Sequence, residues 1–308
     1  MPLREPELRF DNRVAVITGA GRGLGRAYAL LLASRGAKIV VNDPGAGLKG
    51  DGSDLGPAQE VVNEIKAAGG QAVVNTDSVA TPQGGKAIVQ SALDHYGRID
   101  ILIHNAGIVR RGSLEELSYE DFESVLDVHL RGGFHVVRPA FPVMAKAGYG
   151  RIVMTSSING IYGNAGVVNY SMAKGGLIAL ANVAAQEGAA KGIKSNVILP
   201  AAVTRMSEGI DTSQFPPMDP ELVAPAVAYL CHESCAMSGE MLISAAGRVA
   251  RAFPAESKGV YRSKWTIEDI ATDIDVIRST ESPVVFNVVP SGPLEHLRFS
   301  FAMTKGGK

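Results

Sequence analysis

Tyr170 and Lys174 stand four residues apart in the segment YSMAK, inside a stretch with a helical pattern. Residues so spaced share one helix face. A free phenol has a pKa of about 10, too high for a base near neutrality. An ammonium beside it favours the phenolate and lowers that value. A tyrosine tuned in this way can take or give the proton of an alcohol/ketone pair while a hydride moves. Ser157 lies thirteen residues before Tyr170, at the end of the apolar run RIVMTS. Its hydroxyl can hydrogen-bond the same substrate oxygen. Taken alone, Tyr-x-x-x-Lys also describes a solvated helix face, so the chemistry needs support from the rest of the chain.

Residues 18–25, TGAGRGLG, lie between an apolar strand pattern (14–18) and a helical one (23–35). That is the context a dinucleotide fingerprint requires. Gly19 permits the tight turn, Gly23 lets backbone approach a pyrophosphate, and Gly25 lets helix and strand pack closely. Arg22 and Leu24 complete the turn and the helix start, whose N–H groups and dipole suit phosphates. Asp43 ends the second strand and can accept hydrogen bonds from ribose hydroxyls while repelling a 2′-phosphate, which favours NAD. Arg22 pulls toward NADP, and Asp43 also reads as a plain turn residue before Pro44. Asp77 and Ser78 end the third strand, and Asn105, Ala106 and Gly107 end the fourth. Ligands of open α/β sheets bind at such carboxyl ends.

These residues are carried by alternating elements. Strands are expected at 14–18, 38–42, 71–75, 99–104, 151–156, 193–199 and 240–244. Helices are expected at 23–35, 57–68, 82–96, 119–144 (in one or two pieces), 169–190 and 220–231. The alternation predicts βαβ units and a doubly wound, seven-stranded parallel sheet with helices on both faces, an extended Rossmann fold. The domain division expected is 1–247 for the dinucleotide-binding and catalytic domain and 248–308 for a C-terminal extension, docked on the same domain or a neighbouring subunit. Within the extension, 266–278 reads as a helix with Thr266 as N-cap, and 283–289 as a short strand or buried arm. Residues 43–56, DPGAGLKGDGSDLG, read as an exposed insertion.

Composition narrows the function classes. The 308 residues carry 30 basic and 31 acidic side chains, a net charge of −1, and are 46% hydrophobic. No block of like charge suggests nucleic acid or a membrane surface as partner. No run reaches the length of a membrane span, and the charged first residues do not read as a signal peptide. Cys231 and Cys235 are the only cysteines. Free thiols in a reducing compartment, the cytoplasm, are expected. A zinc site on Cys231, His232 and Cys235 is the weaker alternative, because structural zinc usually takes four ligands, and no metal is expected.

The motifs TGAGRGLG, Asn105-Ala106-Gly107, Ser157 and YSMAK, in this order, resemble the short-chain dehydrogenase/reductase superfamily over about residues 12–247. The resemblance implies NAD(P) binding, joint use of Ser157, Tyr170 and Lys174, and a homodimer or homotetramer. A narrower resemblance rests on VVNDPG, GDGSDLGPAQEVVNEIKAAGG, NTDSV, VHLRGGF, TSSINGIYGNAGVVNYSMAK and YLCHES. These are similar to the (3R)-hydroxyacyl-CoA dehydrogenase part of peroxisomal multifunctional enzyme type 2 and to its stand-alone bacterial relatives. That similarity implies NAD and a small-molecule substrate, an acyl-CoA with a fatty or steroid-derived chain. Dehydrogenation or reduction of a free steroid or other secondary alcohol, 3-oxoacyl reduction, and a non-catalytic NAD-binding sensor are the alternatives.

Two departures stand out. His129 occupies the place where the superfamily usually has Asn. It can support Lys174 through its ring or its backbone carbonyl, or simply pack in the helix. Pro200-Ala201 replaces the usual Pro-Gly, leaving Val203 or Thr204 to offer a backbone N–H to the cofactor. Substrate contacts are expected from Met206, Ile210, Phe215 and Met218 in a lid-like loop, and from Ile161, Tyr162 and Val167 around the pocket. Arg110, Arg111 and Arg205 are candidates to meet phosphates, with plain solvated arginines as the alternative.

Overall fold

The computed structural model describes residues 7–45, 56–205, 211 and 213–306. Most of the expected insertion at 43–56, together with Met206 and Ile210, lies outside them. The chain divides into two compact units, Met1–Arg251 and Ala252–Lys308.

In the first unit the strands are β1 (Val14–Thr18), β2 (Lys38–Asn42), β3 (Gln71–Asn75), β4 (Ile101–His104), β5 (Gly150–Thr155), β6 (Ile193–Ala201), β7 (Met241–Ala245) and β8 (Arg248–Ala252). They form one sheet in the order β3-β2-β1-β4-β5-β6-β7-β8. The first seven pair in parallel. Helices α1 (Gly23–Ser34), α2 (Gly56–Ala67), α3 (Pro82–Tyr96), α4 (Tyr119–Leu126), α5 (Gly132–Ala147), α6 (Asn159–Tyr162), α7 (Val168–Gly188) and α8 (Ala224–Cys231) supply the crossovers and capping turns. α1, α2 and α8 pack together, as do α3, α5 and α7. Both faces are therefore covered, which is why β1, β4 and β5 are buried at every residue.

The doubly wound sheet matches the expectation, with one correction: it has eight strands, not seven. β7 and β8 are joined by Ala246 and Gly247 alone, with φ of 48° and 79°. Two left-handed residues make a hairpin turn, so β8 returns beside β7 and extends the sheet-forming unit past residue 247. The helix expected at 119–144 is interrupted by a widened π-turn, Asp127–Arg131. The strand order reverses between β1 and β4, and the crevice outside their carboxyl ends is where such sheets bind ligands.

The second unit contains α9 (Ile267–Ile277) and α10 (Pro293–Gly306). α9 starts at the expected cap. The Thr266 hydroxyl accepts the Asp269 N–H, and the Asp269 carboxylate accepts the Thr266 N–H. The apolar run at 283–289 forms no strand; Val284 makes an isolated bridge to Glu256. No helix among the described residues is long and apolar enough to cross a membrane.

Candidate active site

The Gly-rich turn leaves β1 at Thr18. A Cβ on Gly25 would sit 2.2 Å from the Gly19 carbonyl oxygen, so only glycine lets α1 pack back on the turn. Arg22 takes the N-cap position of α1, and no side chain caps that end. A helix start that its N-cap side chain does not cap is the arrangement that suits a phosphate. Asp43 closes the turn from β2. One carboxylate oxygen accepts the Gly21 N–H at 2.9 Å, the other the Gly45 N–H at 2.8 Å. Each oxygen retains a lone pair for a further donor. The residues present thus fit a dinucleotide, and this chain's turn, Asp43 and the β3 and β4 ends would hold it. Such a cofactor, when bound, supplies the hydride acceptor or donor.

Asp77 is held in place by Asn75, whose amide donates to its carboxylate at 2.7 Å. Asn75 in turn accepts from Asn42 at 2.7 Å. Neither Asn42 nor Asn75 was expected to matter. The Ser78 hydroxyl accepts the Ala80 N–H at 3.2 Å and shapes the entry to α3. Asn105 braces the turn directly: its side-chain amide donates to the carbonyls of Thr18 and Gly19 at 3.3 and 3.0 Å. The Asn105 and Ala106 N–H groups both donate to the Thr18 hydroxyl, at 3.0 and 3.1 Å. Thr18, which opens the fingerprint but is assigned no role from the sequence, is the knot between β1 and β4.

The structure brings Tyr170, Lys174 and Ser157 together. Ser157 follows β5 and is 8% exposed. Its oxygen accepts the Asn159 N–H at 3.1 Å. Burial raises the Tyr170 phenol, and the neighbouring Ser157 hydroxyl opposes that rise. The Lys174 ammonium lies 5.4 Å from the centre of the Tyr170 ring and donates to the Thr155 carbonyl at 2.5 Å. Burial lowers Lys174 to about 7. Two residues that the sequence did not flag fix this group. Asn169 holds the start of α7 to the carbonyls of Arg110 and Asp121, both at 3.2 Å, and accepts the Tyr170 N–H at 2.8 Å. Ser156 donates to the Lys174 carbonyl at 2.7 Å.

His129 sits in the π-turn with its ring edge-on to Tyr170, 5.3 Å between centres. Its Nε2 lies 3.1 Å from the Ile108 nitrogen and 2.9 Å from the Ile108 oxygen. One ring nitrogen serves only one of these at a time. Nδ1 is buried and has no partner among the described residues. Burial holds the ring well below the usual histidine value, so it is neutral. The ring also explains Gly107, where a Cβ would meet the His129 Cε1 at 2.3 Å. The His129 carbonyl accepts from His104 Nε2 at 2.8 Å.

Other expectations fare unevenly. The Val203 N–H donates to the Met218 carbonyl at 2.8 Å, so Val203 is not the free donor expected. Arg110 pairs with Asp121 at 3.2 Å, which gives its charge a partner inside the chain. Arg111 and Arg205 are exposed. Val167 is buried, whereas Ile158, Ile161 and Tyr162 present apolar surface beside Ser157. Phe215 is half exposed. Cys231 and Cys235 are free buried thiols, and burial pushes the Cys231 thiol up.

A parallel sheet with a Gly-rich turn at its switch point and a Ser–Tyr–Lys group beside that turn defines a nicotinamide-dependent type of oxidoreductase. Residues 13–214 match the short chain dehydrogenase family, and the chain belongs to it. It is similar to peroxisomal multifunctional enzyme type 2 of Drosophila melanogaster, 51% identical over 260 residues that cover 84% of this chain and 43% of that protein. A short-chain type dehydrogenase/reductase of Mycobacterium tuberculosis is 46% identical over 246 residues, 78% of this chain and 85% of that one. The solved structure of the full-length Drosophila enzyme superposes with a TM-score of 0.80 at 40% identity, covering 97% of this chain and 50% of that one. The chain therefore spans half or less of the length of this multifunctional relative.

Proposed function

We propose that this oxidoreductase is an NAD-dependent 3-hydroxyacyl-CoA dehydrogenase for fatty or steroid-derived acyl chains, with Tyr170 as the acid/base. The observation that carries the reaction class is the buried Lys174 ammonium against the Tyr170 ring, with Ser157 beside it. Ser157 and Tyr170 bind the alcohol or ketone oxygen. Tyr170 takes the hydroxyl proton in oxidation and returns it in reduction. Lys174, which meets no carboxylate among the described residues, raises the positive potential at the phenol when protonated and then favours its deprotonated form, against the rise that burial imposes. The exposed apolar side chains Ile158, Ile161 and Tyr162 give the site a face for an acyl chain. The thioester part of the proposal draws on the motif resemblance and on the 51% identity with the Drosophila enzyme. Free buried thiols agree with the cytoplasm as compartment, and a homodimer or homotetramer is the assembly proposed.

The reading is tested by presenting NAD+ with a 3-hydroxyacyl-CoA series and with the matching free 3-hydroxy acids, sterols and simple secondary alcohols. Efficient turnover confined to thioesters supports it. Turnover of free alcohols with thioesters untouched leaves a dehydrogenase but removes the acyl-CoA reading.

The choice of NAD rests on Asp43. Its carboxylate is pinned by two backbone N–H groups and holds a fixed negative charge at the end of β2. Ribose hydroxyls can donate to that charge, whereas a 2′-phosphate is repelled. Asp43→Asn keeps an acceptor for the turn and removes the charge. It is expected to lower the NAD-over-NADP ratio of kcat/KM by roughly 10- to 100-fold, the value of a charged hydrogen bond. An unchanged ratio would move cofactor choice elsewhere.

A further inference from the structure

His104 ends β4, is buried to 1% exposure, and has no part in the chemistry described so far. Its ring lies between two groups that belong to different halves of the site. Nδ1 is 3.1 Å from the Thr18 hydroxyl, at the root of the Gly-rich turn. Nε2 is 2.8 Å from the His129 carbonyl, in the π-turn beside Tyr170.

Proton counting fixes the direction of both bonds. The Thr18 oxygen already accepts two amide hydrogens, from Asn105 and Ala106. Its two lone pairs are then used, so it can engage His104 only by donating its own hydrogen. Nδ1 must accept, and in the neutral ring Nε2 carries the hydrogen. That hydrogen goes to the His129 carbonyl. The π-turn makes this possible, because a widened turn takes carbonyls off the regular helical ladder. The far side of the ring is closed as well: a Cβ on Gly133 would stand 3.3 Å from the His104 Cδ2.

We infer that His104 is a positioning residue, which ties the cofactor-cradling turn to the catalytic tyrosine through a directed chain from the Thr18 hydroxyl to the His129 carbonyl. The His129 carbonyl also accepts the Gly132 N–H, and the ring is held by one nitrogen at Ile108 and by its edge contact with Tyr170. The clasp on its carbonyl sets where that ring edge stands, and with it the Tyr170 ring. The same chain explains why a histidine at this point needs a hydroxyl at residue 18: a side chain without one leaves Nδ1 buried and unpaired.

The inference rests on Tyr170 being the acid/base, and two measurements keep the two ideas apart. The first is imidazole ¹⁵N NMR of the wild-type protein without cofactor, with the His104 signals assigned by their loss in His104→Asn. The expected result is the Nε2–H tautomer, unchanged between pH 8 and pH 5. The Nδ1–H tautomer, or a ring that gains a proton in that window, overturns the directed chain whether or not the protein turns over an alcohol.

The second compares His104→Leu, which removes both bonds, with His104→Asn, which keeps an N–H donor. His104→Leu is expected to lower kcat about tenfold and to shift the pH profile of kcat/KM, with substrate KM little changed. His104→Asn is expected to recover most of the kcat. A His104→Leu enzyme with wild-type kcat and pH profile and only a lower melting temperature would reduce His104 to a packing residue. Absence of any turnover in the wild type would instead sink the dehydrogenase reading. If His104→Leu does not fold, His104→Phe, which also removes both bonds but keeps a flat ring in the space, takes its place with the same expected and contrary outcomes.

Discussion

Tyr170→Phe is expected to lower kcat/KM for alcohol oxidation by about 10²- to 10⁴-fold while leaving the fold and cofactor affinity near wild type. The substitution removes one oxygen from a ring whose position is set by other contacts. The Asn169 side chain holds its backbone, and His129 packs against its face. What disappears is the hydroxyl proposed to exchange the substrate proton beside Ser157. Steady-state kinetics with a calorimetric measurement of NAD binding separates the two effects. A fall in affinity that matches the fall in turnover would mean that the ring only shapes the site. Turnover within a few-fold of wild type would place the acid/base elsewhere.

Lys174→Met is expected to act in opposite directions on activity and stability. Lys174 is 3% exposed and its ammonium meets only a carbonyl oxygen among its described hydrogen bonds. Burial without a counter-charge brings it down to about 7. The free-lysine value is about 10.4. Between about pH 7 and that value the unfolded chain binds more protons than the folded one, so stability of the cofactor-free protein rises with pH across this window. Below about pH 7 the folded state carries the full penalty of a buried charge. Methionine fills a similar volume without it. The variant should therefore gain stability at pH 6, on the order of 1 kcal/mol, and lose the rise in stability above pH 7. Its turnover should fall at least about 100-fold, because the phenol loses the charge that favours its deprotonated form. Denaturant melts at pH 6 and pH 9 check the first half, and kinetics the second. A variant less stable at pH 6 would show that Lys174 is held by favourable interactions rather than at a cost to the fold. Such a trade of stability for function is common at active sites.

The parts of this site that are legible in the sequence are those written in short spacings. Tyr170 and Lys174 are one helical turn apart, the Gly-rich turn is contiguous, and Asp43, Asp77, Asn105 and Ser157 each follow an apolar strand run. Alternation of strands and helices then gives the sheet that gathers them at one edge. What stays hidden depends on contacts between distant residues. Thr18 and His104 meet across 86 positions, and Asn169 reaches back 59 positions to Arg110. No local pattern marks these contacts, although Thr18 opens the Gly-rich fingerprint. His129 is visible as a departure, but the contacts of His104 with its carbonyl and of Ile108 with its ring are not. The Val203 N–H looked available because nothing local reveals that Met218 folds back onto it.

The fold shows the same division. β8 is not legible in the sequence because its turn needs Ala246 in a left-handed conformation that alanine rarely adopts, so the hairpin signal is weak. α9 was legible from its Thr266 cap, since a capping box lies within four residues. α10 was not, because PLEHLRFSFAMTKG mixes apolar and charged residues without a clear helical stripe. The run at 283–289 shows the converse: an apolar, β-branched stretch forms an isolated bridge at Val284 and no strand.

The most direct test uses a 3-hydroxyacyl-CoA that carries deuterium on its hydroxyl-bearing carbon, incubated with the wild-type protein and NAD+. The account predicts deuterium in the reduced nicotinamide, one atom for each ketone formed, with none drawn from solvent. A ketone formed while the deuterium appears in water, or reduced nicotinamide without deuterium, would contradict hydride transfer at this site.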